Sequence, residues 1–343
     1  MTSESKLPTA DENRQLDGLS LLLKASGDSL RLEILSVLSK DSFGVLELCS
    51  LFNTKQSGMS HHLKVLANAG LVSTRREGNS IYYRRDLPLG TFSPLKHAIF
   101  SAADQIPRKA HVEQQLADVY AQRAEASRAF FVENANRFKE QQDLIAAFDV
   151  YGEQVTHMLK RTKQSSQQRV LELGPGTGEL LPVLSQLFTH VIALDNSRAM
   201  LDQAQELAIR HDLKNIEWQL NDSQFCTQLT TQHTNNLNNT CDTNSNDLLD
   251  CVVINMVLHH TPSPAQVFAD VCSAIKPGGI LIVTDLCAHD QDWARTACGD
   301  HWLGFEPHDL NQWGQENQMK EGESIYVALR NGFQIQIRQF IKK

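Results

Sequence analysis

Apolar residues recur at helical spacing from Leu19 onward: Leu19, Leu22 and Leu23, then Leu30, Ile34, Leu35 and Leu38. Asp28 and Ser29 offer a cap for the second of these runs. Residues 45–52 predict a short third helix and 59–69 a fourth, closed by Gly70. In the fourth, Met59, Leu63 and Leu66 share one face and should pack inward. Gln56, Ser57, Ser60, His61 and Lys64 fall on the other side or at its N-terminal end. The period then changes to two: residues 71–76 and 80–85 predict strands joined by a turn at Glu77-Gly78-Asn79. From 108 to about 168 the pattern is wholly helical, with Phe130, Phe131, Phe138, Ile145 and Phe148 in one apolar stripe. Beyond it, short apolar strands at 170–173, 191–194, 216–220, 248–258 and 280–284 alternate with helical stretches, the pattern of a parallel sheet.

The first of these strands runs into Gly174-Pro-Gly176-Thr-Gly178 and then a helix start. Glycines without Cβ let a ligand lie against the backbone, and the following helix offers unpaired N–H groups. The second strand ends in Asp195, about 20 residues on, where a carboxylate can take both hydroxyls of a ribose. The spacing Gly-x-Gly-x-Gly departs from the Gly-x-Gly-x-x-Gly of dinucleotide binders.

With Asn221-Asp222 after the third strand and Lys276-Pro-Gly-Gly279 before the fifth, residues from about 165 to the end resemble the class I S-adenosylmethionine (SAM)-dependent methyltransferases. The resemblance implies an α/β domain with a doubly wound, mostly parallel seven-stranded Rossmann-like sheet. It implies SAM as cofactor, S-adenosylhomocysteine (SAH) as product, and cofactor contacts at Glu172, Gly174, Gly176, Gly178, Asp195, Met200, Asp222 and Asn255. Glu172 and the glycine loop would hold the methionine end, Asp195 the ribose and Asp222 the adenine amino group. The helices before the first strand resemble those that lid the cofactor pocket in that family.

Residues 19–110 resemble the ArsR-type winged-helix regulators, through the stretches from Gln56 to Val72 and from Arg75 to Arg84. The resemblance implies a mainly α winged helix-turn-helix homodimer on double-stranded operator DNA. Gln56, Ser57, Ser60, His61 and Lys64 would meet base edges and phosphates; Arg75, Arg76 and Arg84 of the wing would neutralise phosphates. Many members sense metals through Glu-Leu-Cys-x-Cys. Here the stretch is Glu47-Leu-Cys49-Ser-Leu51, and one thiol does not make that site. His97, Asp104, His111 and Glu113 do not reproduce the zinc sensors' spacing either.

Charge agrees with this division. Residues 1–110 carry 14 Lys/Arg against 11 Asp/Glu, and the remainder 18 against 29. The basic part suits nucleic acid, the acidic part a different partner. Seven scattered cysteines without a Cys-x-x-Cys argue for reduced thiols, and no apolar run reaches membrane-spanning length, so a cytoplasmic protein is expected. The domain bounds expected are a disordered 1–18, winged helix 19–110, helical linker and lid 111–168, and methyltransferase 169–343. Residues 227–247, twelve of them Asn or Thr, are expected as a disordered insertion.

Methyl transfer from a sulfonium is an in-line displacement in which alignment carries much of the rate and one base suffices for the acceptor's proton. His259, His260 and His301 are candidate bases, with Asp285 as another. No Asn-Pro-Pro-Tyr-like motif follows the fourth strand, so a small-molecule acceptor is expected rather than a DNA base. No metal site is expected; Cys287, His289, Cys298 and His301 have the donor types for zinc but not a zinc spacing. A regulator that carries a working methyltransferase is one reading. A non-catalytic regulator that only senses SAM or SAH through the same pocket is the other.

Overall fold

The computed structural model describes residues 10–134, 137–162, 169–239 and 248–343. The chain divides into two units, Met1–Tyr120 and Ala121–Lys343. The first contains α1 (Ala10–Ser26), α2 (Ser29–Val37), β1 (Phe43–Gly44), α3 (Val45–Phe52), α4 (Gln56–Asn68), β2 (Val72–Glu77), β3 (Ser80–Arg85) and α5 (Ser93–Gln105), and the division falls within α6 (Ala110–Asn134). Asp28 caps α2 by accepting the Arg31 N–H at 3.0 Å, which holds its carboxyl below the usual range. Glu47 reaches back to the Gly44 N–H at 2.8 Å and starts α3. The helices bury Leu35, Leu48, Leu51, Met59, Leu63 and Leu66 in one core. At a typical 1.5–3 kcal/mol per fully buried large aliphatic side chain, that core fixes the angle between α3 and α4.

Three boundaries differ from expectation. Residues 10–18 are not disordered, because α1 begins at Ala10; Ala, Glu, Arg, Gln and Leu there are good helix formers even without an apolar stripe. Helix α4 begins at Gln56, three residues early, which puts Gln56 and Ser57 in its first turn. Two-residue β1, too short to show a period, pairs with β3 at Phe43↔Tyr83 and Gly44↔Tyr82.

The second unit continues with α7 (Phe138–Ala146), α8 (Phe148–Thr162), β4 (Arg169–Leu173), α9 (Leu181–Leu187), β5 (His190–Asp195), α10 (Arg198–Arg210), β6 (Ile216–Leu220), α11 (Gln224–Asn239), β7 (Leu249–Asn255), α12 (Pro264–Ser273), β8 (Ile275–Leu286), α13 (Trp293–Ala297), α14 (Pro307–Glu316), β9 (Met319–Ala328) and β10 (Gln334–Lys342). The sheet order is β6-β5-β4-β7-β8-β10-β9. Strands β4 to β8 pair in parallel, and β10 runs antiparallel to both its neighbours. This is the doubly wound seven-stranded sheet expected. Val170, Leu171, Val191, Ile192, Val252 and Val253 are fully buried, as strands covered on both faces require. The order reverses beside β4, the place where sheets of this kind leave a crevice at the carboxyl ends of their strands.

The Asn/Thr-rich stretch is not disordered over its first part. Residues 227–239 lie on α11, whose Cys226 and Leu229 are buried. Thr230 and Thr231 turn their hydroxyls onto the Cys226 and Thr227 carbonyls, so polar composition does not stop the helix forming. Residues 240–247 lie outside the described residues, as do 1–9 and the polar lead at 163–168. Among the described residues, no helix is long and apolar enough to cross a membrane.

Gly304 sits at φ +73°, and a Cβ there would collide with the backbone of Cys287 and Leu286. Gly304→Ala is expected to cost about 3 kcal/mol from strain and clash. Gly278→Ala, at φ +77° with open space around it, should cost only about 1 kcal/mol. Thermal or urea unfolding of the two variants against the parent chain checks the difference.

Candidate functional site

Strand β4 delivers Glu172 to the crevice and the chain then turns through Gly174, Gly176 and Gly178. All three lie in the left-handed region, at φ +67°, +57° and +87°. A Cβ on Gly174 would stand 2.6 Å from Val257, and one on Gly178 3.2 Å from Ala204 of α10. The loop therefore disfavours side chains by conformation at all three positions, and by space at Gly174 and Gly178. The Gly174 N–H donates to the Leu194 carbonyl at 2.8 Å, which ties the loop to β5.

Asp195 at the end of β5 accepts the Ser197 N–H at 2.8 Å, and its own carbonyl takes the Asn221 N–H at 3.0 Å. Asn221-Asp222 therefore lies beside it. Asp222 is exposed and caps the following segment through the Gln224 N–H at 2.9 Å. Met200 is buried against Phe138, with Phe131 and Ala199 packed on the pair. Phe138 also lies 3.5 Å from where a Cβ of Gly176 would be. Of the aromatic stripe, Phe138 thus lies beside the glycine loop, whereas Ile145 and Phe148 pack in the core of the unit. Lys139 on the same helix pairs with Glu179 just past the loop at 2.5 Å.

Glu172 is fully buried, its Oε2 has no hydrogen-bond partner, and burial pushes its pKa up to about 8. Burial raises Asp195 to about 6, partly offset by the Ser197 N–H. Asn255, at the end of β7, donates to the Tyr151 hydroxyl at 3.4 Å and leaves its Oδ1 unpartnered. Met256 follows at φ +57°, a strained conformation for a side-chain-bearing residue at a strand end. Tyr151 was not singled out from the sequence. Its helical neighbourhood shows only an apolar stripe, and nothing local says that its hydroxyl meets Asn255.

The three candidate histidines come together on the far side of β7. His259 donates from Nδ1 to Asp285 at 2.7 Å, and both are buried. Burial alone would lower His259, but the carboxylates of Asp285 and Asp300 outweigh it and raise its pKa to about 9. His260 meets the Gly299 carbonyl at 3.2 Å and packs edge-on against Phe131 at 5.1 Å. Burial and then His259 hold it well below its ordinary value. Burial, with Arg123 and Arg295 nearby, lowers His301 to about 3, and its Nε2 is buried without a partner. Asp285, a candidate base in the sequence, is instead spent on His259 and on the Leu286 N–H at 2.8 Å. Cys287, His289, Cys298 and His301 are not gathered: the Cys298 thiol donates to the Gln141 carbonyl and His289 accepts the Gln291 N–H, each at 3.3 Å. The only metal-ligating types that converge among the described residues are His259, His260 and Asp300.

In the first unit, Gln56, Ser57, Ser60, His61 and Lys64 all lie exposed along α4, opposite buried Met59, Leu63 and Leu66. The wing arginines divide. Arg76 is exposed. Arg75 is paired with Glu77, whose side chain is fully buried. Arg84 is half-buried on β3. Neighbouring Arg85 grips Asp104 through two nitrogens at 2.8 and 2.5 Å, donates to the Leu35 carbonyl at 2.6 Å and stacks over Phe100 at 4.8 Å. It therefore anchors the hairpin to α2 and α5. Leu51, at the position where a second thiol would stand, is core.

These features define a winged helix-turn-helix unit joined to a doubly wound α/β unit with a glycine-loop crevice. A model described as methyltransferase domain matches residues 145–331, and one described as bacterial regulatory protein, arsR family, matches 28–74. The chain belongs to the methyltransferase domain family and, through its N-terminal part, to the arsR family of bacterial regulatory proteins. The arsenical resistance operon repressor of Staphylococcus aureus is 42% identical over 66 residues, which span 19% of this chain and 64% of that protein. The transcriptional activator HlyU of Vibrio cholerae is 35% identical over 86 residues, 25% of this chain and 80% of that protein. The chain thus spans just under two thirds of the first relative's length. Among solved structures, N-methyltransferase NodS from Bradyrhizobium japonicum, in complex with SAH, is 15% identical, with TM-score 0.42 over 60% of this chain and 97% of its own. An O-methyltransferase family protein from Burkholderia thailandensis is 15% identical, with TM-score 0.42 over 97% of this chain and 98% of its own.

Glu172 makes the stability of the fold depend on pH. Its folded pKa of about 8 lies above the ordinary 4.5, so between those values the unfolded chain gives up a proton that the folded chain keeps. Stability should fall as pH rises through that window and level off above it. Glu172→Gln removes that slope. Its melting temperature relative to the parent's should therefore rise steadily from pH 5 to pH 8, as scanning calorimetry can check.

Proposed function

We propose that the chain is an operator-binding regulator whose C-terminal domain transfers the methyl group of SAM to a small-molecule acceptor. The observation that carries this is Glu172: a wholly enclosed carboxylate with an unpartnered oxygen, beside a loop that only glycine can build. Such a group is stable as an anion only when a cation joins it. The amino group and sulfonium of SAM supply positive charge, and the glycine loop leaves room for its backbone. In this reading Gly174, Gly176 and Gly178 line the methionine end, and Asp195 takes the ribose hydroxyls. Met200 packs on the adenine, Asp222 meets its amino group, and Asn255 closes the floor with Tyr151.

The reaction itself asks little of the protein. The acceptor's nucleophilic atom attacks the methyl carbon, the bond to sulfur breaks, SAH leaves neutral at sulfur, and a proton is lost from the acceptor. His260 and His301, both neutral at pH 7, have lone pairs able to take that proton. His259, clamped by Asp285, acts as a positioning residue for them. Phe131 and Phe138 would exclude water from the transferring methyl.

A second reading, a regulator that only senses SAM or SAH, uses the same crevice but gives the uncharged rings of His260 and His301 no role. Incubation with methyl-labelled SAM and a small-molecule extract separates them. Label is expected in a low-molecular-weight product. No transfer, together with a change in operator affinity on adding SAH, would establish the sensor instead.

For the DNA-facing unit, α4 and Arg76 are proposed to contact the duplex, with Gln56, Ser57, Ser60, His61 and Lys64 at the groove and Arg84 beside the wing's phosphate contacts. The sequence alone assigned Arg75 the same role as Arg76. Its pairing with buried Glu77 makes it first a support of the hairpin. Arg76→Gln should weaken binding about equally on all sequences and reduce the salt slope by roughly one unit. Arg75→Gln should lower the thermal stability of the domain as well, since it takes a cation away from buried Glu77. Fluorescence anisotropy across a salt series and thermal melts read the two effects.

A further inference from the structure

We propose that His259, His260 and Asp300 bind one divalent transition-metal ion. One ligand atom from each lies within 4.8 Å of the others, and all three residues are buried. The distances are informative. His259 Nε2 stands 3.9 Å from Asp300 Oδ1, and His260 Nδ1 stands 3.8 Å from the same oxygen. Both gaps are too long for hydrogen bonds. They suit two donors that share an ion at bonds of roughly 2.0–2.2 Å each.

The surroundings are those of a built ligand set. His259 gives its other ring nitrogen to Asp285 at 2.7 Å, the carboxylate–histidine pairing that orients an imidazole toward a metal. The two histidines leave β7 in a tight 3-10 turn, Leu258–His260. The His259 carbonyl accepts the N–H groups of His301 and Trp302, both at 2.9 Å. Asp300 is thereby pinned next to the turn. Gly299 before it lies at φ +76°, where a Cβ would run into Phe130, so a glycine is required to bring Asp300 inward. His260 would exchange its 3.2 Å contact with the Gly299 carbonyl for the ion.

Two imidazoles and one carboxylate select zinc, iron(II) or cobalt(II) over calcium or magnesium. Three protein ligands leave a coordination position open. His260 borders Phe131, so the ion stands near the aromatic pair that flanks the cofactor loop. Should the domain transfer methyl groups as proposed above, a hydroxyl or thiol acceptor bound at the open position would be acidified by the ion, and His301 would be the ring left to take its proton. That extension rests on the methyl-transfer reading; the ion site does not.

The test uses the full chain, stripped with a chelator and dialysed against zinc or cobalt(II). One ion per chain is expected by elemental analysis, and cobalt should give weak visible bands without a thiolate charge-transfer band. Asp300→Asn and His260→Gln should each lower metal affinity at least 10-fold, whereas Cys287→Ser and Cys298→Ser should leave it unchanged. SAH binding, measured by calorimetry on each variant, reports the fold separately. A chain that binds SAH but retains no ion overturns the site. So does a thiolate band in the parent protein, or an Asp300→Asn variant that binds SAH and metal as the parent does.

Discussion

Glu172 leaves the centre of a parallel sheet with its carboxylate enclosed and one oxygen unsatisfied. A buried carboxyl of this kind disfavours its own charge, and the raised pKa expresses that cost. The second unit can carry such a residue because β4 and its neighbours bury continuous runs of Val, Leu and Ile, which offset the local penalty. The glycine loop then keeps the space beside the carboxylate free of side chains. Enclosing this carboxylate thus costs stability that a cation placed beside it would recover.

The same logic separates the candidate contact residues from those that hold them. Asp285 is fully buried and committed to His259. Arg85 is committed to Asp104, Leu35 and Phe100. Arg75 is committed to Glu77. Each carries the charge a sequence reader would assign to chemistry or DNA, and each is spent on placing a neighbour. By contrast Arg76, Lys64 and His61 are exposed, and His301 keeps a ring nitrogen without a partner.

Much of this was legible beforehand where a local pattern is dictated by one physical requirement. Three glycines at alternate positions after an apolar strand call for a sharp turn, and the structure places all three at positive φ. The apolar face of α4 and the turn at Gly78 followed from periodicity and turn chemistry alone. What stayed hidden depends on distance in the chain. Tyr151 meets Asn255 across 104 residues. Asp300 reaches the histidine turn only because backbone bonds from His301 and Trp302 fold that segment back. The Asn/Thr-rich helix α11 misled for a different reason: composition suggested disorder, whereas two buried positions, Cys226 and Leu229, are enough to seat it.

The central claim is that the enclosed carboxylate and the glycine loop are one half of an adenosyl amino acid site. A crystal structure of the full chain grown with SAH tests it most directly. Density for the ligand is expected along the loop, with its amino nitrogen within hydrogen-bond distance of Glu172 and its ribose hydroxyls on Asp195. Crystals that leave this crevice empty at saturating SAH, or hold the ligand elsewhere on the chain, would contradict it.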